Sequence, residues 1–169
     1  MRVILAFLIL GAIPLSAQDA QTCPMHAQHQ KEAQHRMDVE QHGDQAMGFS
    51  HEKTTHHFRL LADGGSIQVV ANSAEDQDSV RQIRMHLAHI ARMFSDGDFS
   101  VPMFVHSQDP PGAKTMGERR SQITYTYQDL SAGGEVRIKT QDAHALQGVH
   151  DFLRFQIEDH HTGDKLEVD

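Results

Sequence analysis

From about residue 55 onward, the chain has two strand-like runs of apolar residues followed by a stretch with helical spacing. This order occurs twice. Runs rich in β-branched and aromatic residues flank a Gly-Gly pair, first over residues 55–71 and again over residues 122–140. After each pair of runs, apolar residues recur roughly every three to four positions, which is the period of a helix. The pattern predicts one β-β-α unit over residues 55–98 and a second over residues 122–164. Two such units most simply form an α+β domain, in which a four-stranded antiparallel sheet carries both helices on one face.

The predicted helices run from about residue 75 to 94 and from about residue 142 to 159. Their core-facing positions are Ile83, Leu87, Ile90 and Phe94 in the first, and Leu146, Val149, Leu153 and Ile157 in the second. The Gly-Gly pairs are expected to supply the positive φ of tight hairpins, and Gly97 and Gly163 to end the helices. The connection between the units, residues 99–119, is long and rich in proline, and loops of that length are often functional.

The first 50 residues divide into two segments of different polarity. Met1 and Arg2 precede an apolar run that ends in small residues, which predicts a signal peptide over residues 1–17 and a periplasmic or secreted protein. The run is shorter than the about 20 residues that span a bilayer, so we expect no membrane insertion after cleavage. Residues 18–50 are polar and rich in Gln, His and Met, which predicts a flexible arm. Residues 51–169 are then the single folded domain.

Charge and cysteine content limit the possible partners. The chain has 14 histidines, one cysteine and a formal net charge of −8 with the histidines neutral. An acidic protein does not suit nucleic acid or an anionic membrane surface, so neither is expected as a partner. A single cysteine cannot close an internal disulfide. The histidines favour a metal ion as the partner, because imidazole is the commonest metal ligand in proteins.

Soft metal ligands cluster at the start of the predicted arm. Cys23, Met25 and His26 lie within four residues, and His29 follows. Thiolate and thioether ligands select Cu(I), so the cluster favours copper over zinc. The tetrapeptide from Cys23 to His26 resembles the Cys-Pro-Met-His segment of the heavy-metal-binding regions of bacterial copper and heavy-metal efflux proteins. The resemblance covers only these residues and implies a metal-transport or efflux partner. The folded part resembles exported bacterial proteins without an assigned activity.

The first predicted helix offers a second set of metal ligands. His86, His89 and Met93 fall on one stripe beside the core positions, so they can face a single ion. A further ligand is expected from His106 in the long connection, or from His57. His56 and His57 point to opposite faces of a strand, so at most one of them can join any site. The alternative is that the stripe is only the edge of the core.

Three classes of function remain open from the sequence. The leading prediction is an exported protein for metal binding, buffering or delivery, with copper preferred and zinc second; haem held without covalent attachment is a further alternative. The first rival is a metal- or His-dependent enzyme with a site between the two helices, near His106 and His150. The second rival is an interaction module, in which the duplicated fold supports a homodimer and the His-rich arm is incidental.

Overall fold

The computed structural model describes residues 24–169, with side chains from Met25 onward. The predicted signal peptide, residues 1–17, and Cys23 lie outside the described residues. The elements are, in chain order, α1 (Pro24–Met47), β1 (Thr54–Leu61), β2 (Gly64–Ala71), α2 (Gln77–Asp96), α3 (Ser100–His106), α4 (Ala113–Glu118), β3 (Ile123–Leu130), β4 (Gly133–Thr140) and α5 (Ala143–Asp159). Short 3-10 turns precede β1 and β3, over His51–Lys53 and Arg120–Gln122. Within residues 24–169, no helix is both long and apolar enough to cross a membrane.

The four strands form one antiparallel sheet in the order β1-β2-β4-β3. Each hairpin contributes its second strand to the centre, so the two β-β units meet along the β2–β4 pair. Alternate residues of the strands, such as Phe58, Val69 and Val136, are buried in one core with α2 and α5. The predicted α+β class, with a four-stranded antiparallel sheet and the two predicted helices, α2 and α5, on one face, is confirmed.

The helix stripes identified by periodicity form most of this core. All four predicted positions of α2 are buried, and in α5 only Leu146 is partly exposed. Gly97 ends α2 in the left-handed conformation that a C-terminal cap requires, at φ 80°. The expectation that Gly163 ends the second helix is wrong. Helix α5 already ends at Asp159, and His161 makes the left-handed turn after it.

The two Gly-Gly pairs lie at the starts of the central strands. The expectation that they form the hairpin turns and supply their positive φ is therefore wrong. Residues 62–63 and 131–132 make the turns. A Cβ atom on Gly64 would lie 2.1 Å from the carbonyl oxygen of Ile138, and one on Gly133 would lie 2.0 Å from that of Val69. Glycine is therefore needed where the two central strands approach each other closely. Its positive φ matters only at Gly64, where φ is 142°.

The structure differs from the flexible arm expected over residues 18–50, because residues 24–47 form α1. Val39 is only 3% exposed, and Gly43 and Met47 follow it at helical spacing on the same face. That narrow apolar stripe packs against α3 and the core. Glutamine and alanine, which are common in this segment, are also good helix formers. Tertiary packing of a sparse stripe therefore orders a segment whose composition alone predicts flexibility.

The proline-rich connection, expected to be an irregular loop, contains the two short helices α3 and α4. Pro102 lies in the first turn of α3, where a missing N–H group costs no helical hydrogen bond. Val105 and Met116 are buried, which anchors both helices to the domain. As a result α3 lies beside α1 and brings His106 into the interior.

Candidate functional site

A cavity of about 80 Å³ lies between the helix-covered face of the sheet and helices α1, α2, α3 and α5. Its walls are mostly apolar, but four histidines from four different elements line it. We call them the cavity histidines: His56 from β1, His86 from α2, His106 at the end of α3 and His160 directly after α5. An apolar cavity with a few convergent polar groups is the usual form of a small-ligand site.

Three of the cavity histidines form a continuous row. The ring centre of His160 lies 4.9 Å from that of His106 and 6.1 Å from that of His56. The rings of His56 and His160 are nearly parallel, at 4°. His86 stands apart from the row, with its ring edge-on to Phe49 at 5.8 Å between ring centres. The strand alternation that points His56 inward is the one that turns His57 to the opposite face, where His57 bonds Asp164 at 3.0 Å.

A partly buried carboxylate orients one end of the row. His106 is 2% exposed, and its Nδ1 atom lies 2.5 Å from Oδ2 of Asp159, whose Oδ1 lies 2.8 Å from Nε2 of His35 on α1. Burial raises the pKa of Asp159, but the hydrogen bonds from His35 and His106 outweigh burial, so this pKa is lowered. Asp159 is therefore an anion at neutral pH, and it holds the Nδ1–H tautomer of His106.

The second nitrogen of His106 faces an amide with unused hydrogen-bonding capacity. Nε2 of His106 lies 3.1 Å from Oε1 of Gln156, which also lines the cavity. Gln156 is 5% exposed, and its Nε2 atom is buried without a hydrogen-bond partner among the described residues. A half-turn of this amide would let its NH₂ group donate to the lone pair of a neutral His106 ring. An unpartnered buried donor is costly, and this turn of the amide would give it a partner.

Burial keeps the other cavity histidines neutral. It lowers the pKa of His56 and of His86 to about 4, and that of His160 to about 3. Neighbouring imidazoles lower these pKa values further, as His106 and His56 do for His160, because two adjacent positive charges would repel. At pH 7 these three rings are uncharged, which is the form of imidazole that binds transition metals.

Of the seven predicted site residues that the structure describes, two line the cavity, His86 and His106. His89 is exposed on α2, and Met93 packs against the core outside the cavity lining. In the N-terminal cluster, Met25 is 68% exposed, and His26 and His29 are exposed as well. The predicted stripe on α2 is thus divided between the cavity and the surface.

Within residues 24–169, no three His, Cys, Asp or Glu side chains are already arranged to hold a metal ion. His150 does not line the cavity with His106. Its Nε2 atom lies 2.9 Å from the carbonyl oxygen of Leu61 and 3.0 Å from that of Gly64, so His150 ties α5 to the β1–β2 turn. A site that combines His106 with His150 is therefore not assembled in this conformation.

Sequence reasoning missed His56, His160, Gln156 and Asp159. The place of His160 at the C-terminal end of a helix suggests a different role from the sequence, because the helix dipole favours a cation there. A signal was present, because Gln156 and His160 continue the inward stripe of α5 after Leu153 at helical spacing. His56 likewise alternates with the buried Phe58 along β1.

The chain matches no family model, no curated protein and no solved structure. The cavity and the residues around it are therefore the features that indicate a function.

Proposed function

We propose that this is an exported metal-binding protein, with copper preferred over zinc, and that the cavity histidines hold the metal. The observation that supports this most strongly is the row of His56, His160 and His106, set in an apolar cavity and ended by the carboxylate of Asp159. Histidines that bind metals commonly donate their other ring N–H to a carboxylate, which fixes the tautomer and strengthens the ligand. His106 has the same carboxylate partner, and its Nε2 would face an ion if the side chain of Gln156, now 3.1 Å from it, moved aside.

The size of the cavity favours an ion over an organic substrate. A cavity of about 150 Å³ accommodates a benzene-sized molecule. The cavity here, at about 80 Å³, has room for an ion or a few atoms. The neutral rings of His56 and His160 would not repel a cation, and the apolar walls would shield it from water.

The available ligands favour copper. Zinc sites are almost always tetrahedral with four ligands, and no set of three is arranged for this among the described residues. Cu(I) is stable at lower coordination numbers, so a pair from the row can suffice. Met47 also lines the cavity, and its thioether is a soft ligand that suits Cu(I) better than zinc.

The N-terminal residues complete the proposal. An exported protein with exposed Met25 and His26, preceded by Cys23, would capture copper at the surface and serve in buffering or in delivery to an efflux partner. The cavity would then be a second site within the domain, where bound copper is more protected from solvent than at the surface. Periplasmic or secreted localisation belongs to this proposal, on the strength of the apolar segment at the start of the chain.

The test is Cu(I) affinity measured by competition with a chromogenic Cu(I) chelator, on the untagged full chain carrying Cys23→Ser. This background removes thiolate capture at the N-terminal cluster and leaves the cavity. His160→Phe keeps an aromatic ring of similar size in the cavity but removes the central ligand of the row. We expect this variant to bind Cu(I) at least about tenfold more weakly, a loss of about 1.4 kcal/mol.

His89→Ala is the matched control, because His89 is exposed on α2 and does not line the cavity. It should leave the affinity unchanged. Equal Cu(I) affinity in the His160→Phe and His89→Ala variants would contradict the proposal that the cavity holds copper.

A further inference from the structure

A second concavity, of about 230 Å³, lies next to the histidine cavity, and we call it the α1 groove. It is bounded by the C-terminal half of α1, the start of β1 and the segment after α5. Four residues line both spaces, namely Gly43, Met47, His56 and His160. We call this shared wall the junction. A group that passes the junction from the groove arrives between the imidazoles of His56 and His160.

The chemistry of the α1 groove differs from that of the cavity, because the groove carries negative charge. Glu40 and His51 line it, together with the hydroxyls of Thr55 and Thr162. Nε2 of His51 lies 3.8 Å from a carboxylate oxygen of Glu40, and its Nδ1 lies 3.0 Å from a carboxylate oxygen of Asp44. All three side chains are partly exposed to solvent. Two carboxylates around one imidazole attract cations, as does the acidic charge of the whole chain.

Gly43 has no packing reason to be glycine. It is buried in the interior of α1, where glycine costs roughly 0.5–1 kcal/mol relative to alanine. A Cβ atom at this position would meet only the terminal methyl of Met47 within 4 Å, at 3.4 Å, which is ordinary contact. The backbone therefore allows a side chain here, and its absence leaves open space at the junction.

We infer that the α1 groove is the route by which a metal cation enters the histidine cavity, and that Gly43 keeps the junction open. The inference rests on the proposed function. The cation would first meet Glu40 and His51 in the groove, and then pass Gly43 and Met47 to the neutral rings of His56 and His160. Polar, charged ligands on the outside and neutral, softer ligands inside form a gradient that favours inward transfer of Cu(I).

The experiment measures how fast Cu(I) enters the full chain carrying Cys23→Ser. Apo protein is mixed anaerobically with Cu(I), and samples are quenched at timed intervals with excess chromogenic chelator to count the protected metal. In Gly43→Leu, the leucine side chain fills the junction, and leucine is a good helix former. This variant should slow both entry and release of Cu(I) about tenfold or more. Because both rates fall together, the equilibrium affinity should stay nearly unchanged. Gly43→Ala, whose methyl fits, should load at the wild-type rate.

A second variant tests the charge of the groove without filling space. Glu40→Gln should slow loading several-fold at low ionic strength and much less at high salt, because screening removes long-range attraction. Wild-type loading rates in both Gly43→Leu and Glu40→Gln, with His160→Phe still deficient in affinity, would overturn the entry route and leave the proposed function intact. Absence of Cu(I) binding in the starting protein would overturn both. If Gly43→Leu instead lowers the equilibrium affinity for Cu(I), its side chain disturbs the cavity itself, and Glu40→Gln alone then decides. An unchanged loading rate in Glu40→Gln would in that case overturn the entry route.

Discussion

At the scale of single residues, the chemistry of this protein depends on imidazoles that burial keeps neutral. Among the described residues, His56, His86 and His160 have no hydrogen-bonded carboxylate, whereas His106 and His35 share that of Asp159. The cavity therefore combines uncharged imidazoles with one imidazole that a carboxylate orients, the set that the proposed metal site would use. A protonated ring in the same place would repel a cation and lose its lone pair, so the pKa values and the proposed binding are linked.

Neutral burial has a consequence for stability against pH. In the unfolded chain these histidines have a pKa near 6.5, and in the folded chain the pKa is about 4 for His56 and about 3 for His160. As pH falls from about 6.5 toward 4, the unfolded state takes up more protons than the folded state, so this contribution to stability is lost. It is fully present above pH 6.5.

We therefore expect the difference in urea midpoint between pH 7.5 and pH 5 to be smaller in His160→Phe than in the wild type, because phenylalanine cannot titrate. His89→Ala, which alters an exposed ring, should keep the wild-type difference. An identical pH dependence in wild type and His160→Phe would show that the His160 ring is not buried in its neutral form.

At the scale of elements, the central β2–β4 pair and α1 hold the domain together in different ways. The central pair depends on backbone contact, since the glycines that begin β2 and β4 leave no room for a side chain. Helix α1 depends on a few residues of its inner face, chiefly Val39 and Met47, which lie against α3 and the cavity. A substitution in the β2–β4 pair should therefore lower the stability of the whole domain. A substitution in α1 should detach that helix and leave the rest folded.

Gly133→Ala should destabilise the domain by about 2 kcal/mol or more, because the new Cβ would lie 2.0 Å from the carbonyl oxygen of Val69 and must push β2 and β4 apart. Gly43→Ala is the matched control and should stabilise by up to about 1 kcal/mol, as alanine does in helix interiors. Urea unfolding measures both. A neutral Gly133→Ala variant would contradict the close approach of the central strands.

Val39→Asp should detach α1 and leave the sheet folded, because a carboxylate cannot be buried there without a partner. Hydrogen exchange should then lose protection over residues 24–47 and keep it in β2 and β4. Met37→Asp places the same charge on the exposed side of α1, where Met37 is 54% exposed, and should leave protection unchanged. Loss of protection in the strands of Val39→Asp would show that α1 is not a separable element.

At the scale of the whole molecule, the proposed metal site joins parts that are distant in the chain. His56 belongs to the first β-β-α unit, His106 to the connection and His160 to the end of the second unit. A ligand held by two or more of them links these parts directly. Binding should therefore raise the global free energy of unfolding rather than that of one element.

With free Cu(I) at about one hundred times its dissociation constant, mass action predicts about 2.7 kcal/mol of stabilisation, or roughly 5–10 °C in the melting temperature. Cys23→Ser should keep this gain, and the combination with His160→Phe should lose it. A full gain in Cys23→Ser/His160→Phe would place the stabilising metal outside the cavity.

The sequence by itself determined the two β-β-α units, the positions of α2 and α5, and most of the core they form. These follow from local periodicity, because residues that face one core repeat every second position in a strand and roughly every 3.6 positions in a helix. The same alternation predicted that His56 and His57 point to opposite faces, but the expected ligand His57 faces away from the cavity and His56 lines it. Expectations that depend on neighbours in space were less successful, as the Gly-Gly pairs and α1 show. Strand-to-strand approach and packing on α3 are absent from any local pattern.

The candidate site was decided by the tertiary structure alone. The cavity histidines are spread over four elements between residues 56 and 160, so no motif spacing relates them. Their meeting depends on the strand order β1-β2-β4-β3 and on α3 folding back beneath α1. The low pKa values of His56, His86 and His160 also depend on the fold, because burial and then repulsion between neighbouring imidazoles lower them. From the sequence one can read that histidines are abundant and which helix carries two of them; which ones converge is a property of the assembled domain.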